Sequence, residues 1–257
     1  MQSDEQPVSD SKISTKSNLS RDWPPSFFRL VLGAAFAAGL GYIVLKTMHP
    51  IFVVPPEIAI LPDATPLPLQ LKLEEAKYAV DGRNFSIVFG VIGAIFGASC
   101  VVFSFGARSV YAIVIAVVGT AALGCVGANF SNWMFHNLRE TSGTDLLIMG
   151  YALDGMGQTV LGYALLWGLI GLGVGLGIGA VRSVGKSLGA GISGLCGGVL
   201  GAFLYVALTG WFSEGTTMNR VFPTDSMGQA IWLLLFTVVI VVCIALGSGE
   251  KRRAKKA

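Results

Sequence analysis

Few residues in this chain have the chemistry to react. The two histidines, His49 and His136, stand in separate segments, and neither is flanked at metal-ligand spacing. The four cysteines, Cys100, Cys125, Cys196 and Cys243, form neither a CxxC pair nor a Cys/His cluster. All four fall within apolar runs, so each reads as a small buried apolar residue and no disulfide framework is expected. Nucleophilic catalysis needs a base within hydrogen-bond reach of the nucleophile, and no motif supplies that pair. The acidic residues Glu140, Asp145, Asp154, Glu214 and Asp225 lie between apolar runs and read as a solvated face.

Two glycine motifs come close to nucleotide-binding signatures. Residues 180–187, AVRSVGKS, miss the phosphate-binding loop because Ala180 replaces its first glycine. That loop also needs a preceding strand, and here an apolar run precedes it. The Gly-x-Gly steps at Gly171, Gly173, Gly175 and Gly177 lack the βαβ context and acidic partner of a dinucleotide site. The expectation is therefore no catalytic residue, no cofactor, no metal and no nucleic-acid partner.

The elements that carry these residues are set by hydropathy. Of 257 residues, 53% are hydrophobic and only 13% charged, and the mean hydropathy is +0.67. So few polar groups could not cover a water-facing surface. Six apolar runs approach the length needed to cross hydrocarbon: about 27–46, 85–106, 110–128, 159–181, 188–210 and 228–247. The last five contain no Asp, Glu, Lys, Arg or His. Continuous runs predict helices, because a helix pairs its backbone groups internally and a barrel would show short alternating segments. The fold class is all-α: a polytopic protein of six transmembrane helices.

Charge gives the expected orientation. With both ends on the cytoplasmic side, the inner segments hold 12 of 18 basic residues and 5 acidic ones. The outer segments hold 6 basic and 10 acidic residues. Inner flanks are normally rich in Lys and Arg. The first run reads as an uncleaved anchor, since Lys46 to Pro50 is no small-residue cleavage site. Residues 1–26 read as a disordered cytoplasmic tail and 248–257 as a basic one. The membrane domain spans 27–247. Residues 50–68 hold six of the ten prolines and predict an extended segment, followed by a short helix over 70–82. The apolar stretch 146–153 is too short to cross and is expected along the interface.

Glycine spacing is the most specific signal. Gly171, Gly175 and Gly179 recur every four residues in the fourth run. Gly185, Gly189, Ser193, Gly197 and Gly201 do so in the fifth. Four residues is just over one helical turn, so each set makes a smooth groove for close helix packing. The second and fourth runs also resemble each other: residues 89–97, FGVIGAIFG, parallel 167–175, WGLIGLGVG. Gly127-Ala128 parallels Gly201-Ala202. This predicts a parallel repeat of two helical hairpins, turning near Arg108 and Arg182.

The proline-rich first outer segment, the short helix before Asn84, the two hairpins turning at Arg, and the stretch from Arg182 to Phe222-Pro223 together resemble a group of bacterial multi-pass membrane proteins without an assigned activity. That resemblance implies a bacterial inner membrane. The second hairpin also resembles the mitochondrial protein-import channel family at Gly168, Gly171, Arg182, Lys186, Ser193, Gly194 and Gly198. It departs where Gly171 replaces an aromatic and Lys186 replaces an Asp, and no function is carried over. Spans two to six lack the ionisable residues and prolines that mark ion-coupled carriers. The expected function is a non-enzymatic membrane scaffold or partner-binding protein in contact with the bilayer, with a homo-oligomer or a membrane protein as partner. The alternative is a passive channel or transporter subunit for a small solute.

Overall fold

The structure, a computed structural model, describes residues 27–56, 67–106, 110–140, 146–148, 151–153, 155–181, 183–212, 221–223 and 225–247. Six helices form: α1 (Phe27–Met48), α2 (Leu67–Phe105), α3 (Val110–Glu140), α4 (Gly155–Ala180), α5 (Val184–Phe212) and α6 (Ser226–Gly247). Each is long and apolar enough to cross a membrane. Between α3 and α4 lie two short strands, β1 (Leu146–Ile148) and β2 (Tyr151–Leu153). They pair antiparallel, with Leu146 opposite Leu153 and Ile148 opposite Tyr151. The stretch 146–153, expected along the interface, forms this strand pair, which satisfies backbone groups that a single extended segment would leave open.

Helix ends follow local chemistry. Pro50 cannot continue a helix, and α1 stops at Met48. α2 ends where Gly106 takes a φ of +75°, and the Gly106 N–H donates to the Val102 carbonyl at 2.7 Å. Ser183 caps α5 by accepting from the Lys186 N–H at 3.3 Å. Asp225 caps α6 by accepting from the Gly228 N–H. Two helices outrun the apolar segments that predict them. The expected short helix over 70–82 is continuous with span two, and together they make the 39-residue α2. α3 extends past Ala128 to Glu140.

The six helices stand in chain order around a closed ring, with α1 also packed on α6. Every neighbouring pair is antiparallel. Gly33 of α1 meets Ser99 and Gly41 meets Ile92 of α2, while Gly41 also lies against Leu233 and Lys46 reaches Ser226 of α6. α4 additionally touches α2 and α6 across the ring. Such a helix is apolar all round, because no face of it is left to water.

The hairpins α2–α3 and α4–α5 share one packing register. Side chains added at Gly93 and Gly97 would strike the backbone of Thr120 and Ala116. At Gly171 and Gly175 they would strike Gly194 and Ala190. Gly124 sits against the Phe89 carbonyl as Gly198 sits against that of Trp167. Towards the next helix, Gly127 meets Leu166 and Gly201 meets Phe236. Contacts of this kind bring backbones together and gain dispersion attraction that bulky residues would prevent.

The ring has no open centre at the level of its aromatic residues. Trp167, Trp232, Phe89 and Phe236 are fully buried there. Trp167 stacks on Phe236 at 4.8 Å and meets Trp232 edge-to-face at 5.1 Å. Tyr163 and Tyr205 extend the cluster. The outside stays apolar: Phe28 and Phe36 on α1, Val114 and Val118 on α3, and Ile192 and Phe203 on α5 are all exposed.

Gly175→Leu would drive a side chain into the Ala190 carbonyl. It is expected to destabilise the bundle by about 2–3 kcal/mol or more, and Gly197→Leu, against Ile240, should behave alike. Gly189→Leu has open space and is expected to cost nothing, or to gain up to about 1 kcal/mol from the better helix former. Thermal unfolding in mild detergent checks this, and equal losses at Gly175 and Gly189 would refute the packing account.

Candidate functional site

The eight small residues singled out by spacing do not share one contact. Gly171, Gly175 and Gly179 of α4 face α5, where they approach Gly194, Ala190 and Ser187. Gly197 and Gly201 face α6 at Ile240 and Phe236. Ser193 lies beside Gly247 of α6, and its hydroxyl donates to the Gly189 carbonyl at 2.9 Å. Gly185 and Gly189 are exposed, with nothing within 4 Å of where a Cβ would stand. The face of α5 that meets α4 is instead Ser187, Ala190, Gly194 and Gly198. Four-residue spacing exposed both stripes, but it could not say which stripe met which helix. The near-miss phosphate loop is the α4–α5 turn, where the Ser187 hydroxyl donates to the Leu176 carbonyl at 2.8 Å.

Polar groups gather at the end of the ring opposite the start of α1 and the end of α6. Asn84 is buried at 1% exposure although it lies beside the apolar run. Its side-chain oxygen accepts from the backbone N–H groups of Ile51 and Phe52, at 3.1 and 2.8 Å. Its amide donates to the Phe52 carbonyl at 2.9 Å. One side chain thereby satisfies the backbone of a bend that has no strand beside it. His49 is fixed next to this clamp. Its ring stacks on Phe85 at 5.5 Å and meets the edge of Phe222 at 4.9 Å.

A groove of about 460 Å³ opens between the loop ends of α2 and α3. Phe52, Tyr78, Gly82, Arg83, Ser86, Ile87, Asn129 and Asn132 line it. The Asn129 amide donates to the Ser86 hydroxyl at 2.6 Å and to the Cys125 carbonyl at 2.9 Å. The Ser86 hydroxyl donates to the Gly82 carbonyl at 2.7 Å. The Asn132 amide donates to the Tyr78 carbonyl at 3.3 Å, and Tyr78 stacks on His136 at 4.3 Å. No single stretch of sequence announces this set. Its members come from α2, α3 and the segment after α1, and converge only when these pack.

The other reactive residues stay apart. His49 and His136 are each held by their own aromatic partners. Cys100 is buried, Cys125 and Cys243 are half-buried, and Cys196 is exposed. Among the described residues no three His, Cys, Asp or Glu side chains cluster as a metal site would need. Asp225 serves as a helix cap. Asp145, Asp154, Glu214, Arg108 and Arg182 lie outside the described residues, as do residues 1–26 and 248–257, and the Glu140 side chain is likewise not described.

Comparison with protein-family models, curated proteins and solved structures finds no match to this chain. What defines it is its architecture: a six-helix, multi-pass membrane protein of the all-α class with an apolar outer surface for lipid.

Asn84→Leu would leave the Ile51 and Phe52 amides unpaired. It is expected to cost about 1–3 kcal/mol in thermal unfolding and to speed hydrogen exchange at Phe52. A variant matching the parent in both would refute the clamp. Burial lowers the His49 pKa from its ordinary 6.5, opposed in part by the charge of Asp81. The native state therefore favours neutral imidazole, and the unfolded state binds the proton more readily. Stability is expected to hold above pH 6.5 and to fall as pH drops from there through the lower native value. His49→Phe should flatten that acid-side loss in the unfolding midpoint, and an unchanged slope would count against the assignment.

Proposed function

We propose that this protein is a non-enzymatic membrane scaffold that self-associates through the outward face of α5, with both ends in the cytoplasm of a bacterium. Charge asymmetry supports the orientation, and resemblance to bacterial multi-pass proteins supports the setting. The observation that carries the scaffold reading is the pair Gly185 and Gly189, one helical turn apart on one open face, whereas the open glycines Gly39 of α1 and Gly119 of α3 stand singly. Glycine in a helix costs roughly 1 kcal/mol relative to alanine. Inside the ring, backbone contact offsets that cost. At Gly185 and Gly189 nothing within the described chain does so. A second helix laid against this face would provide the offset, and a stripe of small residues is complementary to its own copy about a two-fold axis.

The filled centre supports a scaffold over a conduit. Trp167, Trp232 and Phe236 occupy the region where a solute path between the helices would run. Polar and ionisable groups usually line such paths.

The native cysteines test both halves. Cys196 is exposed and lies on the same helix face as Gly189, seven residues on. In a variant retaining only Cys196, thiol cross-linking in membranes is expected to yield a covalent dimer. Adding Gly189→Leu should cut that yield severalfold without the loss of stability expected of Gly175→Leu. In the wild type, buried Cys100 should resist a membrane-impermeant thiol reagent until denatured. Failure to form the dimer, or indifference to Gly189→Leu, would sink the self-association reading. Ready labelling of Cys100 would favour the passive channel instead.

A further inference from the structure

We infer that the groove between the loop ends of α2 and α3 binds a phospholipid whose headgroup carries hydrogen-bond donors. Its level in the bundle is the first observation. The apolar runs begin at Phe85 and end at Ala128, so Arg83, Ser86 and Asn129 sit where hydrocarbon gives way to headgroups. Exposed Phe130 and Trp133 occupy the same level on α3. Aromatic residues of this kind concentrate at membrane–water interfaces.

The chemistry of the groove matches an amphiphile at that depth. Two protons of the Asn129 amide are engaged, on the Ser86 hydroxyl and the Cys125 carbonyl. Its Oδ1 accepts nothing among the described residues and lies 3.6 Å from where a Gly82 Cβ would stand. Asn132 is nine-tenths buried, and its Nδ2 lies 3.3 Å from that same point. Gly82 thus leaves open a floor that any larger residue would fill. Arg83 beside it is exposed and has no ion-pair partner among the described residues. A cation and an unused amide oxygen call for an anion that also brings donors. Ile87, inside the apolar run, and Phe52, beyond the end of α1, add apolar lining. A phosphodiester with a hydroxyl or ammonium headgroup, carried on acyl chains, supplies all three.

Lipids separate this proposal from its rivals. The full chain would be purified in mild detergent with equal phosphatidylglycerol, phosphatidylethanolamine and phosphatidylcholine of matched chains, and retained lipid counted by native mass spectrometry. Phosphatidylcholine has the phosphate but no donors. The first two lipids are expected to be retained about fivefold better than phosphatidylcholine. Arg83→Gln, at an exposed position, should lower their retention about tenfold without changing the unfolding midpoint. Gly82→Leu should empty the groove. Equal retention of phosphatidylcholine, or an Arg83→Gln variant that binds normally, would overturn the proposal. So would displacement of the lipid by chainless glycerophosphoglycerol at similar concentration, which would assign the groove to a soluble ligand.

Discussion

At the crossing of Gly171 and Gly194, two helix backbones touch with no side chain between them. The rest of the bundle depends on contacts of that kind. In hydrocarbon the helices gain little by hiding apolar surface from one another, since lipid tails are as apolar as leucine. What holds them is dispersion across many short distances, and it decays steeply if the backbones part. The same approach at Gly93 and Gly97 joins α2 to α3, and at Gly197 it joins α5 to α6. Close walls in turn leave a narrow centre, which a few large rings can fill.

Those rings complete the arrangement from inside. Trp167 and Trp232 bury their indole N–H groups without a hydrogen-bond partner among the described residues, a costly state in an apolar interior. Edge-to-face packing softens that cost, because a ring face attracts the positive edge of its neighbour. The pair lies at 5.1 Å and 77°. Phe89 and Trp167 occupy corresponding places in the two hairpins, and both point into this cluster. The repeat is therefore more than a likeness of glycine-rich text. It duplicates one packing solution and brings its large residue to the centre twice.

The loop end follows a different rule. The segment that follows α1 is irregular, so its backbone groups need partners from elsewhere. Asn84 takes that part for residues 51 and 52, and Asn129 and Asn132 fasten α3 to α2. Three asparagines thus stand at the boundary where lipid can no longer be relied on to hold helices apart and water is not yet free to solvate them. A groove with polar lining forms there because the side chains that tie the helices also hold them at a set distance.

Much of this was open to a reader of the sequence. Helix number and class follow from run length and the need to pair every backbone group in lipid. The equivalence of the hairpins is visible in residues 89–97 and 167–175. Helix packing was legible as a period of four, but not its partners: Gly185 and Gly189 carry the same spacing as Gly197 and Gly201, yet only the latter pair meets α6. Periodicity reports which residues share a face, and a face acquires a neighbour only when six helices close into a ring. Asn84 shows the same limit, since nothing beside it in the chain tells that its partners are Ile51 and Phe52. By itself the sequence determined the spans and their local contacts, because hydropathy and helix geometry act between near neighbours. The tertiary structure alone decided which glycines touch, which rings fill the centre and which asparagines meet, because those depend on distances between residues far apart in the chain.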